Sequence, residues 1–179
     1  MTGDSEGSVV IVSGCPGTGK TTLARELART LPEGVHVRLD DFFAFLARPI
    51  APSLPEARTQ NATVMRAVAR SVRTYVEGGY RVVVDGVIGP WYLDTFRAEL
   101  GPMETIVQYV VLRADLVETV RRGTTRAEPV NEGIIRSMHP QFADLGSLEH
   151  HAVHTSDQTI DVVLATLLDG LKARRFVLA

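Results

Sequence analysis

Residues Gly14-Cys15-Pro16-Gly17-Thr18-Gly19-Lys20-Thr21-Thr22 constrain this chain more than any other stretch. Their spacing, G-x-x-x-x-G-K-[ST], is that of the phosphate-binding P-loop. Its glycines let successive backbone N–H groups turn inward and cradle a di- or triphosphate. The Lys20 ammonium then reaches the β- and γ-phosphates, and the Thr21 hydroxyl is placed to ligate Mg²⁺. The loop opens a helix, whose dipole favours the same anion. The flanks agree with the motif. Val9-Val10-Ile11-Val12 is a short apolar, β-branched run that reads as a buried parallel strand. Leu23, Leu27 and Leu31 recur at helical spacing after the loop, with Ala24 and Ala28 between them, until Pro32 stops the helix.

Strand and helix patterns alternate through the rest of the chain. That is the signature of a three-layer α/β/α fold, with about five parallel strands and helices on both faces. At 179 residues the chain fits one domain, taken as 8–179 behind a flexible start at 1–7. The second strand is predicted over 34–39 and the third over 81–85. A fourth covers 106–112 and a short last one covers 151–155. Helices are expected at about 56–77, 91–100 (stopped by Gly101-Pro102), 114–122, 131–145 (bent near Pro140) and after Ser156, which is a candidate cap for the last of them. Segment 121–140 reads as a small lid.

The formal net charge of −2 argues against a broad nucleic-acid or anionic-membrane surface. No apolar run approaches the ~18–20 residues of a membrane helix, and residues 1–7 lack the apolar core of a signal peptide. One cysteine forbids an internal disulfide and fits a reducing, cytoplasmic setting. That residue, Cys15, reads as a small loop residue rather than a redox switch. The pattern leaves monomer and homodimer both open.

In parallel sheets of this kind, ligands sit at the carboxyl ends of the strands. The polar residues found there are the candidates. Asp40 and Asp41 follow the second strand. Asp40 is placed to take the proton of an attacking hydroxyl, with helix capping as its alternative role. Asp41 reads equally as a cap or as a supporting contact. Asp85 ends the third strand, where an acid contacts Mg²⁺ through water or binds the acceptor. Arg122 and Arg126 are candidates to close over the transferring phosphoryl group, while Arg121 reads as a solvated helix end. Arg48 is a candidate clamp for an anionic substrate, and Trp91 with Tyr92 a candidate aromatic wall. His150, His151 and His154 fit no metal signature. Thr155 and Ser156 are placed beside the base of the nucleotide.

Three marks carry a family resemblance: Gly14 to Thr22, the Asp40-Asp41-Phe42-Phe43 segment, and the arginines after Leu112. With them the chain resembles the small P-loop kinases. The acidic segment looks like that of nicotinamide riboside kinases. The order of elements is more similar to chloramphenicol phosphotransferase and to gluconate- and shikimate-kinase-like proteins. Proteins of this kind often carry a generic AAA or ATPase label, although the chain lacks a convincing second region, sensor arginine or lid domain of a true AAA ATPase. The resemblance implies ATP as donor, Mg²⁺, a small hydroxylated acceptor, and Asp40 as the base. Residues 44–62 match no acceptor motif. A nucleotide-binding module that acts as a switch, or that sequesters a ligand, is the alternative from another class.

Overall fold

The computed structural model describes residues 8–101 and 105–178. The expected flexible start and Pro102 lie outside them. Strand β1 (Ser8–Gly14) is central, and the order across the five-stranded parallel sheet is β2-β3-β1-β4-β5. Its neighbours are β3 (Arg81–Asp85) and β4 (Ile106–Arg113), with β2 (Gly34–Arg38) and β5 (Ala152–His154) at the edges. Alternation along β1 divides the core. Val9 and Ile11 face one apolar layer, and Val10 and Val12 face the other. Both faces are buried, so the strand reads as a continuous apolar run.

Helices α1 (Lys20–Thr30) and α7 (Ile160–Lys172) cover the Val10 face through Leu23, Leu27, Val163 and Leu167. The Val9 face is covered by α3 (Arg58–Glu77) and α4 (Leu93–Leu100), through Val64, Val68, Val72 and Phe96. Helix α5 (Leu116–Thr125) and the short α6 (Glu132–Met138) come after β4 and lie at the carboxyl end of the sheet against the phosphate loop.

The second strand ends a residue earlier than its pattern implies. Leu39 is 3% exposed and begins a six-residue helix, α2 (Leu39–Ala44). Asp40 and Asp41 therefore sit in its first turn, and the N-cap is Arg38, whose side chain makes no capping bond. Capping is the role of neither acid. The single helix expected over 131–145 is two pieces, α6 and a 3₁₀ turn at His139–Phe142, and a separate 3₁₀ turn follows at Gly146–His151. Pro140 lies inside the first of these turns and cannot supply the N–H that α6 would need to continue. Ser156 is not the cap of α7. Thr159 is, accepting from Val162 N, while Ser156 Oγ accepts from Asp115 N at the start of α5 at 2.8 Å.

The carboxyl end of the chain adds a feature outside the α/β pattern. Beyond α7, Phe176 O accepts from Tyr109 N at 2.8 Å, Leu178 N donates to Val107 O at 3.0 Å, and Val177 bridges Gln108 antiparallel. The three-residue β5 leaves the lower edge of β4 open, and this tail closes it.

Candidate functional site

Bonds within the protein hold the phosphate loop in its turned shape. The Cys15 carbonyl accepts from Thr18 N at 3.3 Å, Thr18 Oγ1 at 2.9 Å and Lys20 Nζ at 3.0 Å. Thr155 Oγ1, from the end of β5, donates to Thr18 O at 3.3 Å. Gly17 has φ of 95°, and a Cβ there would lie 2.2 Å from Thr119 O of α5. Both the left-handed backbone and the close helix demand glycine. Lys20 is buried. Burial pushes its ammonium below the usual lysine range, and the charges of Asp85 and then Asp40 pull it back up. A group so placed gains most when a polyphosphate arrives. Burial also pushes the Cys15 thiol up to about 11, so it is a weak nucleophile at neutral pH.

Asp85 ends β3 nearly fully buried, between two partners. Thr21 Oγ1 donates to its Oδ1 at 3.2 Å, and His36 Nε2 stands 2.5 Å from its Oδ2. The Thr21 hydroxyl and this carboxylate are hard oxygen donors. Among the described residues no three His, Cys, Asp or Glu side chains cluster as a metal cage. Such a sparse oxygen set fits Mg²⁺, which keeps several waters and takes its remaining ligands from phosphates.

Two clefts open around these groups. One, of about 480 Å³, is lined by Gly17, Gly19, Thr22, Arg38 and Arg122. The other, of about 750 Å³, is lined by Pro16, Asp40, Asp85 and Trp91 and runs between α2, α3 and α6. Lys20, Thr21 and Arg126 line both. Asp40 and Asp41 separate here. Asp40 faces the larger cavity beside Lys20, whereas Asp41 pairs with Arg38 Nη1 at 3.2 Å and lines neither cleft.

The arginines also separate. Arg122 lies 2.6 Å from Glu118 and donates to Thr155 O at 3.3 Å, two contacts within the protein that hold it in place. Among the described residues the carboxylate paired with Arg126 is a distant one, Glu128 at 3.9 Å. Arg121 is paired to Glu118 on the surface. Arg48 is exposed on the segment after α2 and lines neither cleft. Trp91 and Tyr92 both line the larger cavity, with the Trp91 ring 6.0 Å from that of Phe142. Thr155 and Ser156 line neither cleft, and their hydroxyls bond Thr18 O and Asp115 N. Of the three histidines, His151 is buried with Nδ1 2.7 Å from Tyr109 O, a packing role.

Sequence reasoning missed His36 and Arg38. Both lie on β2 among valines, where a buried-strand pattern tolerates polar residues only for a reason. The Arg38 Nε is buried without a hydrogen-bond partner at the margin of the smaller cleft. That interruption of the apolar run was the signal available.

A family model described as AAA domain matches residues 10–137. No curated protein sequence matches the chain significantly. The fold is similar to that of a sugar kinase from Janibacter sp. HTCC2649, with 19% identity, TM-score 0.71, and 93% of this chain and 95% of that one covered. It is similar to a Deinococcus radiodurans tunicamycin resistance protein at 14% identity and TM-score 0.65, covering 97% and 99%. It is also similar to Mycobacterium tuberculosis APS kinase, solved with AMPPNP and APS, at 17% identity and TM-score 0.64, covering 93% and 98%.

Proposed function

This chain belongs to the AAA domain family, and from that premise we propose that it transfers the γ-phosphate of ATP to a hydroxyl of a small molecule. One observation carries the reading: the two clefts share a wall made of Lys20, Thr21 and Arg126. A hydrolase needs room for water beside the terminal phosphate. Here a cavity of about 750 Å³ meets it, large enough for a second organic ligand. The sugar kinase and APS kinase with the same fold are kinases by name, which supports the reaction class.

The donor's phosphates lie in the smaller cleft, against the loop amides and the start of α1. Lys20 exchanges its bond to the Cys15 carbonyl for phosphate oxygens. Thr21 and, through water, Asp85 would hold Mg²⁺, which supplies neutralisation of the β- and γ-oxygens when bound. His36 fixes the Asp85 carboxylate with one oxygen toward Thr21. Asp40 accepts the proton of the acceptor hydroxyl. The freed oxygen bonds to the γ-phosphorus as the bond to the β-phosphate oxygen breaks, and ADP leaves. Arg126 spans both clefts and offsets charge on the moving phosphoryl group, with Arg122 behind it.

The test is label transfer from ATP to a panel of alcohols, sugars and nucleosides, with Asp40→Asn beside the parent. Transfer should fall about 10²–10⁴-fold while Mg·ATP affinity changes by less than about threefold. Undiminished transfer removes Asp40 as the base. Label found only in inorganic phosphate, whatever the alcohol, gives the chain to the ATPase or switch class instead.

A further inference from the structure

The larger cavity has a chemistry of its own beyond the phosphate end. Its charged lining residues are Lys20, Asp40, Asp85 and Arg126. All four belong to the phosphoryl-transfer end, and their formal charges cancel. The rest of the wall is mostly apolar. Phe43 comes from α2, Met65 from α3, Trp91 and Tyr92 from the turn before α4, and Ile134 and Met138 from α6. Polar side chains are a minority among them, Ser53 and the Tyr92 hydroxyl included, and three of them are bonded to the backbone. Asn61 Nδ2 donates to Pro52 O at 2.8 Å, Ser137 Oγ to Ile134 O at 2.9 Å, and Gln141 Nε2 to Ser137 O at 3.1 Å.

This arrangement selects against two classes of acceptor. An anionic one, such as a sugar acid or a phosphorylated sugar, would bring negative charge toward Asp40 and Asp85. The two cations there are already needed by the donor's phosphates, and the distal wall supplies no other. A polyol would give up several water hydrogen bonds to a wall that is mostly apolar and in which three of the polar side chains already bond the backbone. A neutral alcohol with an aromatic or alicyclic body loses little and gains burial against Phe43, Met65 and Trp91. We propose that the acceptor is a neutral, predominantly apolar alcohol of drug-like size, its body seated between α2, α3 and α6 and its hydroxyl at Asp40. The inference rests on the phosphotransferase reading for the hydroxyl's place, while the selectivity of the cavity rests on its lining alone.

The chain holds a single tryptophan, and it lines this cavity. Trp91 is 52% exposed, so its emission should shift to the blue when an apolar body covers it. The probes are 1-adamantanemethanol, adamantane-1-carboxylate, which keeps the body and replaces the hydroxyl group by a charge, and gluconate. All three are titrated without nucleotide and again with a non-hydrolysable ATP analogue and Mg²⁺. The alcohol should give a saturable blue shift, with the carboxylate and gluconate weaker by about tenfold or more. Ile134→Asp puts a charge on the distal wall at a site 39% exposed, where folding tolerates it, and should weaken the alcohol by about tenfold. Met138→Asp, on the same helix, should act in the same direction. A gluconate or carboxylate affinity equal to the alcohol's, an alcohol affinity untouched by both variants, or no saturable shift with the alcohol overturns the inference. Phosphorus NMR with Mg·ATP separates the two readings. Selective alcohol binding with no phosphoester formed from any acceptor leaves the cavity assignment standing and removes the phosphotransferase. Phosphoester formation on gluconate alone does the reverse.

Discussion

Cys15 is the residue at which chemistry and architecture diverge most within the loop. Its carbonyl gathers three donors, while its thiol is buried with Sγ donating to Ile135 O at 3.5 Å. Desolvation raises the thiol from 9.0 to about 11, against a smaller opposing pull from Lys20. At neutral pH the thiolate is then about a hundredfold scarcer than at an ordinary cysteine. The folded state holds this proton more tightly than the unfolded chain does. The linked stability is whole below pH 9 and declines as pH climbs toward 11, because the unfolded chain releases its proton first. Iodoacetamide should leave native protein unmodified at pH 7.5 and label it fully in urea, with native labelling emerging only as pH approaches 11. Fast labelling of the native protein at pH 7.5 would mean an open, activated thiol. The bland role was legible from position alone, but the partner was not, since Ile135 lies 120 residues away. Asp41 shows the same limit. Its place one residue beyond Asp40 suggests a lesser role, but its partner Arg38 was not legible, because the pairing depends on α2 starting at Leu39.

At the scale of elements, the strands were legible because both faces of the sheet are covered, which forces unbroken β-branched runs such as Val82-Val83-Val84. The segment after β4 was harder to read. Helix α5 is amphipathic, but its decisive contact is backbone on backbone, with Thr119 O and Gly123 against Gly17. No periodicity announces a contact made by the absence of side chains. This packing fixes the end of α5 on the phosphate loop and leaves Arg126, just past that end, placed to line both clefts. Arg122, one turn back, is already bonded to Glu118 and Thr155. The two arginines should therefore behave differently. Arg126→Ala should lower kcat about 10²–10³-fold with a smaller change in KM for ATP, since its charge is wanted most at the transition state. Arg122→Ala should act more evenly on kcat and KM, as loss of a preset phosphate contact. Steady-state kinetics with the best acceptor decides. Equal losses in kcat from both would mean that the two guanidiniums act as one unit.

The whole molecule is organised so that its two ends do different work. The carboxyl ends of the strands gather the site, and the opposite part of β4 is closed by the tail after α7. Phe176 is the keystone of that closure. It is fully buried, its ring fills the space over Gly170, where a Cβ would lie 2.3 Å from it, and the Arg175 guanidinium sits 5.0 Å above its centroid. Arg175 in turn donates to His150 O at 2.8 Å and Ala152 O at 3.0 Å, tying the tail to the start of β5. The sequence past the last helix, Arg174-Arg175-Phe176-Val177-Leu178, is too short to show a strand period, so this clasp was not legible. Phe176→Ala should cost about 3–5 kcal/mol, the range for emptying a large buried aromatic site. At about 2–4 °C per kcal/mol for a domain of this size, the melting midpoint should drop by roughly 6–20 °C. Below that midpoint Mg·ATP affinity should hold, because the tail pairs with Val107 and Tyr109, while the phosphate loop lies beside Leu112 at the far end of the same strand. Thermal melts and calorimetric titration on one preparation separate the two ends. A drop in ATP affinity at a temperature where the variant is fully folded would mean that β4 transmits strain from the clasp to the loop, and that the two ends of the sheet are mechanically coupled.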